Sequence, residues 1–248
     1  MCLILFSYKT DPQLPLVILA NRDEFLGRPT QQAHWWEDQS IFAGKDLKAG
    51  GSWMGVARNG RFAALTNVRE PNNIKADAPS RGALVTDFLN GSESPEAYLN
   101  RVAEKGQAYN GFNLLVGTAD NLWYYGNRGP APQALEPGTY GLSNDLLDTP
   151  WPKLVSGREK LEAWFDERSE AAAFSILQDP HIYPDDQLPD TGVPIDWERA
   201  LSARFITKDN YGTRCSTFIT FDHKEDIHFV ERTHVPERSE VKERFTGN

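Results

Sequence analysis

Residues 2–24 read Cys2-Leu3-Ile4-Leu5-Phe6-Ser7-Tyr8-Lys9-Thr10-Asp11-Pro12-Gln13-Leu14-Pro15-Leu16-Val17-Ile18-Leu19-Ala20-Asn21-Arg22-Asp23-Glu24. Two apolar runs, Leu3 to Phe6 and Leu16 to Ala20, flank a polar turn around Asp11-Pro12. This pattern predicts two buried strands joined by a short connection. The second strand runs directly into Asn21-Arg22-Asp23-Glu24, four polar groups that return toward the chain start. Met1 is followed by a small residue, so an aminopeptidase is expected to remove it and leave Cys2 first. A terminal cysteine carries nucleophile and base together: its thiol ionises near 8.5 and its α-amine at about 7.7–8.0. On position alone, cysteine as a small buried hydrophobe is the commoner role.

Outward from this stretch the chain alternates strands and helices. Trp53 to Ala57 and Phe62 to Leu65 flank Asn59-Gly60, which predicts a hairpin with a type I′ turn. Helices are predicted over Ser80–Asn90, from Ser94-Pro95 to about Lys105, from Thr149-Pro150 onward, over Glu170–Leu177 and over Asp196–Ala203. Further strands are expected at Phe112–Thr118, Leu122–Tyr125, Tyr140–Ser143, Thr213–Phe221 and Ile227–Glu231. Residues 179–194 read as a surface loop, and the charged stretch after Pro236 as a mobile tail. No repeat or linker interrupts the order, so residues 1–248 are expected to form one layered α+β domain.

The net charge of −9 argues against a nucleic-acid partner, because phosphate binding needs a surplus of Lys and Arg. No apolar run reaches the roughly 18 residues of a membrane span. The first residues lack the parts of a signal peptide. Two cysteines, Cys2 and Cys215, give neither a disulfide framework nor a zinc signature, so a reducing cytoplasm is the expected compartment. The five histidines, His34, His181, His223, His228 and His234, show no metal-ligand spacing, and no metal site or bound cofactor is expected.

Polar residues at strand ends remain as candidates: Arg22, Asp23, Asn67, Asn144 and Arg214. An aspartate would orient the amine, an arginine would favour the thiolate, and asparagine amides would donate to an oxyanion. Each alone also fits a turn former or a surface pair. Arg214 and Cys215 alternate on a strand, so if Arg214 faces the site, Cys215 faces the other layer.

The pieces Met1-Cys2-Leu3-Ile4, Ala20-Asn21-Arg22-Asp23-Glu24-Phe25, Arg28-Pro29-Thr30 and Ala43-Gly44-Lys45-Asp46 follow one another in order. So do Gly50-Gly51-Ser52-Trp53-Met54-Gly55, Ala64-Leu65-Thr66-Asn67-Val68-Arg69, Leu142-Ser143-Asn144, Thr149-Pro150-Trp151-Pro152-Lys153 and Tyr211-Gly212-Thr213-Arg214. Across nearly the whole chain this resembles the NRDE family, the homologues of transport and Golgi organisation protein two. That family is in turn similar to cysteine-type N-terminal-nucleophile hydrolases such as penicillin V acylase and bile salt hydrolase.

The resemblance implies a four-layer αββα sandwich and hydrolysis of a non-peptide amide C–N bond, or acyl transfer, on a small acylated substrate. Cys2 would be nucleophile and base. Asp23, or Glu24 beside it, would hold the amine. Asn67 and Asn144 would stand at the oxyanion, and Arg22 or Arg214 would be the site arginine. Trp35, Trp36 and Trp53 are expected to line an acyl pocket, with core packing the alternative. The NRDE family is also linked with haem mobilisation and acyl-lipid homeostasis. The competing expectation is therefore a haem or acyl-lipid carrier on the same scaffold.

Overall fold

The computed structural model describes residues 2–37 and 40–247. Its strands are β1 (Cys2–Tyr8), β2 (Leu16–Phe25), β3 (Thr30–Trp35), β4 (Ile41–Asp46), β5 (Met54–Ala57), β6 (Phe62–Asn67) and β7 (Phe112–Gly117). They continue with β8 (Leu122–Gly126), β9 (Gln133–Ala134), β10 (Gly138–Leu142), β11 (Tyr211–Phe221), β12 (Asp226–Thr233) and β13 (Ser239–Thr246). The helices are α1 (Gly82–Asn90), α2 (Pro95–Glu104), α3 (Pro152–Trp164), α4 (Glu170–Leu177) and α5 (Ile195–Ser202). One sheet has the order β10-β1-β2-β11-β12-β13 and the other β3-β4-β5-β6-β7-β8-β9. The pairings in both are antiparallel.

Two-residue periodicity explains the layers. Along β1 and β2, Ile4, Phe6, Leu16, Ile18 and Ala20 enter a core that also holds Phe42, Val56 and Phe62 of the opposite sheet. The intervening Leu3, Leu5, Val17 and Leu19 turn the other way, onto Leu154 and Leu161 of α3 and Phe174 of α4. The second sheet does the same with α1 and α2, through Ile41, Ala43, Leu84, Phe88 and Leu99. The result is a four-layer αββα sandwich. Strands covered on both faces need apolar side chains at every position, which is why the two opening runs are continuous and do not alternate.

Local signals account for most boundaries. Ser94 caps α2 by accepting from Ala97 N at 3.2 Å, with Pro95 in the first turn. Ser169 caps α4 through Ala172 N at 3.0 Å. Three expectations change. The hairpin β5–β6 closes with Gly60 N donating to Ala57 O at 3.0 Å. Gly60 is at φ +77°, while Asn59 is not among the positive-φ residues, so the turn is not type I′. Helix α3 starts at Pro152 and not at Thr149-Pro150, with Trp151 as its N-cap. The stretch after Pro236 is not a loose tail: β13 pairs along β12 from Asp226↔Thr246 to Thr233↔Ser239. Val241 and Phe245 pack on the inter-sheet core, and the Phe245 ring lies 4.9 Å from that of Trp35. Charged residues alternate with these two because β13 is an edge strand, where charge discourages pairing with another chain.

Candidate functional site

The site lies at the end of the first sheet where β1 begins. Antiparallel register sets Cys2 opposite Arg22 on one side of β2, and Cys215 opposite the same Arg22 on the other. Successive residues of β2 face opposite layers. Arg22, in phase with Ile18 and Ala20, points toward the second sheet. It donates to Thr30 Oγ1 at 3.0 Å, lies 3.5 Å from Asp46 Oδ2 and stacks 4.2 Å from the Trp53 ring centroid. That ring needs Gly44: a Cβ there would collide with Trp53 Cη2.

Asp23 turns to the helical side and is 2% exposed. Its Oδ1 accepts from Thr213 Oγ1 at 2.7 Å. Burial pushes the Asp23 carboxyl up to about 6, against the opposing pull of Lys153, Thr213 and Arg69. Glu24 is half-exposed and accepts from its own neighbour, Phe25 N, at 2.8 Å. Of the two carboxylates, Asp23 is the one enclosed beside the Cys2 end of β1.

A cavity of about 330 Å³ opens here, lined among others by Cys2, Arg22, Asp23, Trp53, Asn67 and Arg81. Cys2 is partly exposed at its wall, yet the thiol lies deep enough for burial to push it up; Asp23 adds to this and Arg22 opposes it. Asn67 ends β6 on the facing sheet. Asn144 does not line this cavity; its Nδ2 donates to Asn67 O at 2.9 Å, and Arg69 N donates to Asn144 O at 2.7 Å. Beside it, Ser143 Oγ donates to Cys2 O at 3.1 Å. The end of β10 therefore ties the chain start to the Asn67 strand.

Three other candidates stand apart from the cavity. Arg214 is the extra residue of a β-bulge between Thr213 and Cys215. Its Nη1 donates to Phe25 O, Leu26 O and Arg28 O at 3.1, 2.6 and 2.9 Å, so it holds the β2–β3 turn. Trp35 packs between the sheets against Phe42 and Phe245. Trp36 donates Nε1–H to Ala43 O at 3.1 Å and packs on the core under α1 and α2. The bulge also undoes the simple alternation expected for Cys215. Cys215 faces the same layer as Arg22, fully enclosed, with its thiol donating to Glu231; burial pushes it well up.

Further residues converge here that the strand-end argument did not single out. Lys153 is 2% exposed, with Nζ donating to Leu201 O at 2.8 Å, and burial pulls it down to about 7. Arg69 pairs with Glu198 at 2.6 Å and lies 4.9 Å from the Trp151 ring centroid. Tyr211 is buried, with its hydroxyl lacking a partner among the described residues. Lys153, Arg69 and Tyr211 all fall inside stretches that carry the family resemblance, and that was the signal available for them. Among the described residues, no group of three or more His, Cys, Asp or Glu is placed to hold a metal ion. None of their helices is long and apolar enough to cross a membrane.

A family profile described as Transport and Golgi organisation 2 matches residues 1–236. The Transport and Golgi organization 2 homolog of Mus musculus is 38% identical over 259 residues, spanning 94% of this chain and 93% of its own. The Homo sapiens homolog is 39% identical over the same shares, and the Drosophila melanogaster protein 29% identical over 94% and 92%. Among solved structures, a mutant conjugated bile acid hydrolase from Clostridium perfringens aligns at 9% identity and TM-score 0.42, over 100% of this chain and 97% of that one. A Caenorhabditis elegans ortholog of N-acylethanolamine-hydrolyzing acid amidase aligns at 11% identity and TM-score 0.43, over 88% and 92%.

Proposed function

Because this chain belongs to the Transport and Golgi organisation 2 family, and sets Cys2, Asp23 and Asn67 around one cavity, we propose that it is an N-terminal-cysteine amidohydrolase or acyltransferase. The observation that carries the proposal is the placement of Cys2 on the cavity wall, with Asn67 lining the same cavity from the facing sheet and a buried aspartate on the neighbouring strand.

Loss of Met1 frees an α-amine on Cys2. The neutral amine takes the thiol proton, and the thiolate adds to the carbonyl carbon of a small amide. Asn67 donates to the oxygen that gains charge, a contribution of about 3 kcal/mol for a well-placed donor. Asn144 is the positioning residue that fixes the Asn67 backbone. The Asp23 carboxylate holds the ammonium, and Arg22 counters the effect of burial on the thiolate. The ammonium then gives its proton to the leaving nitrogen, the C–N bond breaks and an acyl-thioester remains on Cys2. Water, or a second amine, adds to the thioester carbonyl and yields its proton to the α-amine. The acid or new amide departs, and the proton returns to the thiol.

For the haem form of the carrier alternative, the described residues around this cavity include no histidine and no methionine, which leaves the Cys2 thiolate as its ligand. The test is intact mass before and after a thiol-directed acylating probe. The expected result is a chain lacking Met1 with one acyl adduct, lost in Cys2→Ala and kept in Cys215→Ala. A retained Met1, or an inert Cys2, would overturn the mechanism.

A further inference from the structure

Beside the first cavity lies a second one, of about 410 Å³, with a different character. Glu24, Asn67, Arg81 and Asn110 line both, so the two spaces meet at Asn67. The first carries Arg22, Arg28, Arg81 and Asp46. The second is walled by Phe25, Ile74, Val193, Trp197, Leu201 and Tyr211. Phe25 and Ile74 are 57% and 69% exposed, an unusual setting for large apolar side chains that share one concave wall. The Tyr211 ring is fixed edge-on between Phe25, at 5.3 Å, and Trp197, at 5.5 Å.

Two residues of this wall carry donors that lack a partner among the described residues, Tyr211 Oη and Arg69 Nε, both covered by neighbouring atoms. Arg69 Nη1 is spoken for by Glu198 Oε2 at 2.6 Å. Buried polar groups are nearly always hydrogen-bonded, so two orphan donors beside one apolar recess favour a small side-chain shift that brings them an acceptor. Cavities of this size, apolar with a few fixed polar groups, are the usual form of small-molecule sites.

We propose that the second cavity takes the acyl chain of the substrate, and that Tyr211 Oη and Arg69 Nε donate to an oxygen carried on that chain. The assignment rests on the amidohydrolase reading for its direction. A carbonyl at Asn67 sends its polar amine portion among the arginines of the first cavity and its chain into the second. The substrate class is then an amide of a small polar amine, with a chain of medium length bearing a keto or hydroxyl oxygen.

The experiment uses the Cys2→Ala chain, so that binding is read without turnover, and three probes: N-acetylglycine, N-octanoylglycine and N-(7-oxooctanoyl)glycine. Calorimetry should give at least tenfold tighter binding for octanoyl than for acetyl, since each buried methylene adds several-fold. That ratio should fall toward one in added Ile74→Asp and in added Trp197→Ala. A partly unfolded variant lowers both affinities and leaves their ratio in place, so the ratio reports the cavity. The oxo probe should bind several-fold tighter than octanoyl, and Tyr211→Phe should remove that gain.

A ratio near one in Cys2→Ala, a ratio that survives both cavity variants, or no binding of any probe would overturn the chain site. An oxo probe no tighter than octanoyl would overturn the role of the two donors. The wild-type chain separates this proposal from the one beneath it. A chain-length ratio with no acyl adduct on Cys2 leaves the cavity standing and removes the hydrolase. Equal acylation by short and long probes does the reverse.

Discussion

Strand β2 is buried along most of its length, but its two halves are buried on different terms. Leu16 to Ala20 hand apolar side chains alternately to the inter-sheet core and to the helices, and each stabilises the fold by leaving water. Asn21, Arg22 and Asp23 are as deeply enclosed, and each is held by named partners. Asn21 Nδ2 donates to Leu177 O and Arg204 O at 2.8 and 2.7 Å, and its Oδ1 accepts from Ser216 Oγ at 2.6 Å. Arg22 has Thr30, Asp46 and Trp53; Asp23 has Thr213. A strand selected only for stability would continue apolar, since a buried charge gains little over a well-packed hydrophobe. The polar half therefore joins the layers through directional partners, and its Arg22 and Asp23 also line the cavity.

The comparison is broken most sharply at the two cysteines that flank Arg22. Cys2→Ala should abolish acyl-adduct formation, while Cys215→Ala should leave it within about twofold, because Cys215 is sealed against Glu231. Mass spectrometry after probe treatment reads both.

The next largest effect belongs to Asp23. Asp23→Asn should lower acyl transfer by about 100-fold, the usual scale for a lost positioned charge. In the wild type the rate should fall with pH as the Asp23 carboxyl, held above the ordinary carboxylate range by burial, takes up a proton. Stability should move the other way. The folded value near 6 exceeds the ordinary carboxylate value, so ionising Asp23 costs stability as pH rises through about 6. Asp23→Asn should then raise the melting temperature at pH 8, and the advantage should vanish below pH ~4. A variant both slower and less stable at pH 8 would contradict the division drawn along β2.

The apolar half gives the reciprocal result. Ile18 is fully buried in the inter-sheet core. Ile18→Ala should lower unfolding free energy by about 2–5 kcal/mol in denaturant titrations while the folded fraction keeps its acyl transfer. The smallest effect is Arg22→Met. With the guanidinium gone, the Cys2 thiol should rise further, and its alkylation by iodoacetamide at pH 8 should slow several-fold.

Much of the architecture was legible along the chain. The runs at Leu3–Phe6 and Leu16–Ala20, the Asn59-Gly60 hairpin and the Ser94 cap are local signals, and the elements formed where they pointed. Strand β13 was missed because an edge strand exposes one face and carries charge there, so its two inward residues, Val241 and Phe245, look like isolated apolar positions. At the site, Cys2, Arg22, Asp23 and Asn67 meet at one cavity, whereas Asn144 and Arg214 reach it only through backbone carbonyls they hold. Lys153, Arg69 and Tyr211 lie in the resembling stretches but carry no local pattern that assigns them to the site.

The sequence by itself determined the periodicity of each element, the family and the presence of a cysteine at the start of a buried strand, because these depend on neighbouring residues and on order along the chain. Only the tertiary structure decided which arginine faces Cys2, that a bulge turns Cys215 to the same side, and that an apolar cavity with two unpartnered donors adjoins the first. Those outcomes depend on register between strands nearly two hundred residues apart, such as β2 and β11. A single extra residue there exchanges the faces of all that follow it, and no local pattern records on which side it falls.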